Sequence, residues 1–280
     1  QLRAARLCLQ KAALPQEKVQ LALAGDLQAQ CTASSYAMRE LGVPFAGLFG
    51  ACSTMAEGLA LGAALCEGGA ARNLLAMASS HFCAAERQFR TPLSYGAVRT
   101  PTAQWTATAA GCCLLQPQGE GVGIAAATFG RVQDYQVKDI NNMGAAMAPA
   151  AASTLLHYFK DTGTEPQEFD CIYTGDLGQV GSQLLRELLA AEGLLIKNHV
   201  DCGCILFDAN EQSVKSGGSG PGCCAAVLCG HILPRLRRGS QKRVLFTATG
   251  ALMSQTTFLQ KETIPAVAHL VELRAPEKEK

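Results

Sequence analysis

The residue with the most evident chemical potential is Cys52, which lies between an apolar run and an amphipathic stretch. Val43–Phe49 predicts a short buried strand, and apolar residues at helical spacing from Ala56 to Ala64 predict one buried helix face. Cys52 is therefore expected at a helix N-terminus, where the dipole and free N–H groups favour a thiolate or bind an anion. The alternative is a buried cysteine that packs as a small hydrophobic residue.

Polar residues follow the predicted strands in several other places. Because ligands bind near the carboxyl ends of the strands in open α/β sheets, these residues are expected to line one shared cleft. The candidate ligand-binding residues are Asp26, Cys52, Ser53, Ser80, His81, Asp176, Ser219 and Gly250. Two alternatives stay open: the aspartates cap the helices that follow them, and His81 is a histidine without a catalytic role.

The chain repeats itself at a spacing of about 150 residues, which is typical of a duplicated domain. A predicted helix and strand lead into Gly25-Asp26-Leu27, and the same order recurs before Gly175-Asp176-Leu177. Gly50–Ser53 before one helix is likewise matched by Gly220–Cys223 before another. Strands that alternate with helices indicate an α/β fold, with one half at residues 1–118 and the other at 119–280.

Composition narrows the class of protein. The chain has 280 residues, 48% of them hydrophobic and 17% charged, so it can bury a large core. A net charge of +1 gives no reason to expect a nucleic-acid partner. No apolar run approaches the roughly 20 residues of a membrane span. The 13 cysteines include no Cys-x-x-Cys spacing, so we expect a reducing compartment and no structural metal.

Motifs spread along the chain resemble the stage V sporulation protein AD family of the thiolase-like superfamily. The most specific are Ala85–Arg90 (Ala-Glu-Arg-Gln-Phe-Arg) and Gln260–Pro265 (Gln-Lys-Glu-Thr-Ile-Pro). The other matching segments are Ala24–Leu27, Phe49–Thr54, Ser79–His81, Met143–Ala152, Thr174–Leu177, Gly217–Gly220 and Ala248–Ala251.

The resemblance implies a thiolase-like fold with two duplicated α/β halves, whose mixed five-stranded sheets pack in layers with helices. It implies a non-catalytic protein that binds dipicolinic acid (pyridine-2,6-dicarboxylate) for its uptake into the developing spore. Membrane-spanning subunits are the implied partners, and the implied location is peripheral, on the cytoplasmic side of a forespore membrane. A homodimer through the edge strand Pro44–Phe49 is also implied.

The resemblance leaves an enzymatic alternative, an acyltransferase or condensing enzyme with Cys52 as its nucleophile. Thiolases carry a histidine in a Gly-His-Pro turn, where this chain has Gly218-Ser219-Gly220. Condensing enzymes carry a histidine where this chain has Gly175-Asp176. Cys52 thus lacks a recognisable base, unless His81 serves as one.

The electrostatics of a bound dianion lead to a further expectation. Its carboxylates are attracted to the helix N-termini at Cys52–Thr54 and Gly222–Cys223. Asp26 and Asp176 repel it, so we expect a calcium ion to bridge the ligand and these aspartates. No other cofactor is expected.

One strand has no counterpart in the repeat. Gly121–Arg131 predicts a strand at the start of the second half, and the resemblance implies that it lies in the middle of its sheet. The first half begins directly with a predicted helix at Gln1–Ala4. A sheet without its central strand would leave buried backbone groups unpaired, at about 1–3 kcal/mol each. On this argument an upstream segment supplies the strand.

Overall fold

Strands and helices alternate along the part of the chain that the computed structural model describes, residues 1–89 and 98–277. Arg90 of the Ala85–Arg90 motif lies outside the described residues. The strands are β1 (Leu21–Gly25), β2 (Phe45–Gly47), β3 (Leu74–Ser80), β4 (Trp105–Thr106), β5 (Ala109–Leu115), β6 (Gly123–Thr128), β7 (Cys171–Thr174), β8 (His199–Asp201), β9 (Gly218–Ser219), β10 (Arg243–Ala251) and β11 (Ala266–Arg274). The α-helices are α1 (Leu2–Lys11), α2 (Thr32–Leu41), α3 (Thr54–Glu67), α4 (Phe82–Phe89), α5 (Met143–Thr162), α6 (Gly178–Ala191), α7 (Cys202–Leu206), α8 (Pro221–Val227), α9 (Leu233–Arg237) and α10 (Gln255–Leu259).

Two mixed sheets repeat one topology. The first has the order β2-β1-β3-β5, and the second has the order β8-β7-β10-β11-β6. In the first sheet β1 runs parallel to β2 and β3, and β5 is antiparallel to β3. In the second sheet β7 runs parallel to β8 and β10, and β11 is antiparallel to β10. The duplicated α/β architecture predicted from the repeated motifs is therefore present.

The strand from the segment Gly121–Arg131 lies at the edge of its sheet, so its predicted central position is wrong. β6 pairs with β11 and has no other partner strand among the described residues. Its side chains alternate between exposed and half-buried, whereas β11 is buried along nearly its whole length. The antiparallel β11 takes the inner position, and the place equivalent to β6 in the first sheet is the outer edge of β5. The energetic argument from a missing central strand therefore does not apply.

Helices fill the space between the two sheets and cover their outer faces. Small and apolar residues of α3 and α8 form one buried cluster with residues of β3, β7 and β10. The fit is close at Gly111 of β5, where an added Cβ would lie 2.5 Å from the carbonyl oxygen of Ala225. Helices α5 and α6 pack on the outer face of the second sheet, and α1 and α2 on that of the first. This layering brings the carboxyl ends of strands from both sheets to one region.

Among the residues that the structure describes, none of the helices has both the length and the apolar character required to cross a bilayer.

Candidate functional site

The strand ends of the two sheets border a cavity of ≈ 660 Å³. Much of its wall comes from the segments that follow β1, β2 and β10, and Ser219 of β9 also lines it. Of the predicted ligand-binding residues, Asp26, Cys52 and Ser219 line it. The remaining wall is largely apolar, with Met143 and Met147 of α5 among its residues.

Cys52 lies in a short 3₁₀ turn, Ala51–Ser53, immediately before α3. The residue is 8% exposed, and its thiol interacts with the carboxyl group of Asp176. Burial, followed by the adjacent Asp176, raises the pKa of the Cys52 thiol well above its usual value. The predicted position at a helix start is confirmed, but the expected thiolate is not favoured there. The lost solvation and the neighbouring carboxylate outweigh the helix dipole.

Asp176 is fully buried, and its carboxyl group is surrounded by donors. Oδ2 accepts hydrogen bonds from the Ser219 hydroxyl at 3.1 Å and the Gly220 N–H at 2.8 Å, and Oδ1 accepts one from the Thr249 hydroxyl at 3.2 Å. Burial raises the pKa of this carboxyl group, while these donors and Cys52 act to lower it. Residues from both sheets thus meet at one polar cluster, Cys52–Asp176–Ser219.

Asp26 has a different role from Asp176, although the two residues have the same neighbours in the sequence. Its Oδ2 accepts hydrogen bonds from the Ser34 N–H at 2.7 Å and the Ser34 hydroxyl at 2.6 Å. Its Oδ1 accepts one from the Gln28 N–H at 2.7 Å. Ser34 lies in the first turn of α2, so Asp26 caps this helix. This is the alternative to ligand binding that the sequence left open for Asp26. The Asp176 carboxyl group, in contrast, accepts no hydrogen bond from the described N–H groups at the start of α6, which bind Asp201 instead.

His81 and Cys52 line different cavities. The histidine is exposed and lines a second cavity of ≈ 530 Å³, which shares Asp26, Leu27, Ala85 and Gln88 with the Cys52 cavity. The Cys52 cavity does not include it among its described lining residues. The structure therefore gives no support to the pairing of His81 with Cys52 as base and nucleophile, because the turn after β3 places His81 at the second cavity.

Three further predicted residues make packing contacts or hydrogen bonds within the protein: Ser53, Ser80 and Gly250. The Ser80 hydroxyl donates to the Ala107 carbonyl at 2.7 Å and accepts from the Gly222 N–H at 3.1 Å. It thus occupies the N-terminus of α8, which is not open to the anion expected there. The Ser53 hydroxyl donates to the Gly50 carbonyl at 2.7 Å, and Gly250 lies directly against Gly50 and Ser53.

Arg99 and Gln104 also line the Cys52 cavity, and the sequence analysis missed both. The Arg99 guanidinium is paired with Glu86, donates to the Gln104 carbonyl at 3.2 Å and lies 4.6 Å from the ring centroid of Trp105. The Gln104 amide donates to the carbonyls of Asp176 at 2.6 Å and Gly218 at 2.9 Å. Neither follows a predicted strand; the single tryptophan of the sequence, six residues after Arg99, was the only available signal.

The donor set does not fit a calcium ion held by the protein. In the described part of the chain, no group of three or more His, Cys, Asp or Glu side chains is placed to hold a metal ion. Both oxygens of Asp26 and of Asp176 already accept hydrogen bonds. The expected calcium bridge to these aspartates is therefore not supported by the site.

Comparison with known proteins identifies the family. The family model of stage V sporulation protein AD matches residues 1–274. Stage V sporulation protein AD of Bacillus subtilis (strain 168) is 43% identical over 267 residues, which cover 95% of this chain and 79% of that protein. The chain belongs to the stage V sporulation protein AD family.

Solved structures show that this member of the stage V sporulation protein AD family has the fold of condensing enzymes. The 3-oxoacyl-[acyl-carrier-protein] synthase III of Aquifex aeolicus VF5 superposes with a TM-score of 0.61 at 14% identity, covering 98% of this chain and 82% of that one. Cerulenin-bound OleA of Xanthomonas campestris gives a TM-score of 0.64 at 15% identity, covering 98% and 78%. At such identities the likeness shows the thiolase-like fold alone.

Proposed function

We propose that this chain binds the dipicolinate dianion in the Cys52 cavity without catalysis, as a step in its uptake into the developing spore. The observation that carries the proposal is the buried Cys52 thiol beside the Asp176 carboxyl group. A nucleophilic cysteine needs a neighbour that stabilises its thiolate, and this neighbour raises the pKa of the thiol instead. Membership of a sporulation family supports the choice of ligand.

The cavity offers a fitting partner for one carboxylate of the ligand. Among the described residues that line it, Arg99 is the one with a positive charge. A guanidinium has five N–H donors, and the contacts to Glu86 and Gln104 use two of them. The remaining donors can bind a carboxylate, and the apolar wall can contact the pyridine ring.

Isothermal titration of the intact chain with dipicolinate tests the proposal, with and without calcium. We expect saturable binding of the free dianion, because Arg99 supplies the charge and the described residues include no cluster of His, Cys, Asp or Glu side chains that could hold a metal ion. Excess calcium is then expected to lower the apparent affinity, since the metal chelates dipicolinate in solution. Absence of binding in both arms would contradict the proposal, and tighter binding with calcium would identify the chelate as the ligand.

The condensing-enzyme fold and a cysteine at the cavity wall favour one second candidate, an acyltransferase that uses Cys52. Incubation with acyl-thioesters followed by intact mass separates the two candidates. A stable acyl adduct on Cys52 supports the enzyme, and an unchanged mass supports the binder.

We further propose that the protein acts beside a forespore membrane, with membrane-spanning subunits that receive the ligand. It would do so as a homodimer formed through β2, which lies at the edge of the first sheet. Tyr36 and Phe49 near this edge are each 60% exposed. An apolar edge strand of this kind pairs readily with a second copy.

Light scattering after size exclusion is expected to give the mass of a dimer for the parent chain at micromolar concentration. The Phe45→Lys variant, changed in β2, is expected to give the mass of a monomer. Leu195→Lys is the matched control, because Leu195 is a 58% exposed apolar residue outside this edge. A monomeric parent chain would contradict the proposed homodimer.

A further inference from the structure

We infer that Asp201 is a positioning residue, whose carboxylate holds the turn that directs Asp176 toward the Cys52 thiol. Asp201 ends the edge strand β8 and is 3% exposed. Its Oδ1 accepts a hydrogen bond from the Gly178 N–H at 2.9 Å. Its Oδ2 accepts from the Leu177 N–H at 2.9 Å and from the Thr174 hydroxyl at 2.6 Å.

These three donors flank Asp176 in the sequence. Thr174 precedes it by two residues, and Leu177 and Gly178 follow it directly, so one carboxylate binds the turn on both sides. Gly178 has a φ of +65°, a conformation that favours glycine, and the turn leads straight into α6. Asp201 therefore caps α6 in place of Asp176, which leaves the Asp176 carboxyl group free to contact the Cys52 thiol.

A second hydrogen bond fixes the Thr174 hydroxyl. His199 Nε2 lies 2.8 Å from the Thr174 Oγ1, which already donates its proton to Asp201. The hydroxyl accepts in turn, so Nε2 carries the proton. Burial, with the Arg186 charge, lowers the pKa of His199 to about 4, which keeps the ring neutral at pH 7. Asp201, Thr174 and His199 thus form one continuous chain of hydrogen bonds.

Asp201 acts on Cys52 only through Asp176. Burial and Asp176 are the largest causes of the raised pKa of Cys52, and Asp201 is not among the leading ones. The main chain at Asp176 has a separate anchor, because the Gln104 amide binds its carbonyl. Loss of the Asp201 bonds would leave this anchor but release the N–H groups that follow. The Asp176 carboxyl group would keep its own donors from Ser219, Gly220 and Thr249, but the main chain after it would no longer be held, and the carboxyl group could then shift away from Cys52.

The Asp201→Asn variant of the intact chain tests the inference through the pH profile of Cys52 alkylation by iodoacetamide, followed by peptide mass spectrometry. An asparagine places an amide N–H₂ group against one of the main-chain donors, so at least one bond is lost. As Asp176 moves away, we expect the midpoint of the profile to fall by about one pH unit, which is about a tenfold faster reaction at pH 8.

Thr174→Val is expected to shift the midpoint in the same direction, and Thr174→Ser, which keeps the hydroxyl, to restore the parent profile. Tyr158→Phe is the matched control, because it removes a buried hydrogen bond to Glu272 in the same sheet region. Unchanged midpoints in Asp201→Asn and Thr174→Val would overturn the inference, as would an equal shift in Tyr158→Phe. The inference rests on the role given above to Asp176, but this test uses no dipicolinate. Failure of ligand binding and failure of the positioning role are thus separate results.

Discussion

Replacing Arg99 by methionine is expected to weaken dipicolinate binding by about 10- to 100-fold. A hydrogen bond to a charged group contributes about 1.5–3 kcal/mol, and each 1.4 kcal/mol is a factor of about ten in affinity. Arg99 is 16% exposed in its side chain, so the bond to a carboxylate would be partly shielded from water. Its stacking on Trp105 at 4.6 Å fixes the guanidinium before the ligand arrives. Isothermal titration of the variant measures the loss.

Arg39→Met is the matched control for this prediction. Arg39 stacks on the Tyr36 ring at a similar distance, 4.6 Å, but does not line the cavity. We expect its variant to bind dipicolinate like the parent chain. Arg99→Lys should give an intermediate affinity, because an ammonium keeps the charge and loses the paired donors. Parent-like affinity in Arg99→Met would remove Arg99 from the binding site.

Gly250→Ala is expected to destabilise the fold by about 1–3 kcal/mol, the usual cost of overpacking a dense core. A Cβ at this position would lie 2.2 Å from the Gly50 carbonyl oxygen. That oxygen already accepts from the Ser53 N–H at 3.0 Å and the Ser53 hydroxyl at 2.7 Å, so the turn cannot yield without losing these bonds. Cys52 lies in this turn, and dipicolinate affinity should fall together with stability.

Denaturant unfolding of Gly250→Ala measures the change, with Gly230→Ala as control. An added Cβ at Gly230 meets nothing within 4 Å, so this variant should keep the stability of the parent chain. Equal unfolding midpoints for Gly250→Ala and Gly230→Ala would show that the contact between β10 and the Cys52 turn is not tight.

Sequence periodicity was sufficient for the main elements that carry the site. The helix after Cys52 runs from Thr54 to Glu67, and the strand before Asp176 spans Cys171–Thr174 as predicted. These segments have apolar residues at the spacing that packing between layers requires. The duplication was visible for the same reason, because each half uses the same strand-to-turn sequence at the same end of its sheet.

The different roles of Asp26 and Asp176 could not be predicted from the sequence, because both residues follow a glycine and precede a leucine. The difference depends on distant residues: Ser34 presents two donors to Asp26, whereas Asp201 takes over the cap of α6. Whether Cys52 is a thiolate or a neutral, buried thiol could not be decided from the sequence for a related reason. The effect of the helix dipole on Cys52 is local and can be predicted from the sequence. Burial of the thiol and its contact with the Asp176 carboxyl group depend on how the second sheet packs against the first.

The position of β6 and the direction of His81 also depended on tertiary structure. A half-exposed run of small residues can form an edge strand or a central strand. β6 lies at the edge because its pairing partner β11, far along the chain, takes the inner position. Arg99 lies in an irregular segment without periodicity, so its place at the cavity wall follows from contacts with Glu86 and Trp105.

The most direct measurement is a crystal structure of the intact chain soaked with dipicolinate. We expect density for a planar pyridine dicarboxylate in the cavity, with one carboxylate on the Arg99 guanidinium and no bond to the Cys52 sulfur. Ligand density confined to another part of the molecule, or a covalent adduct on Cys52, would contradict non-catalytic binding at this site.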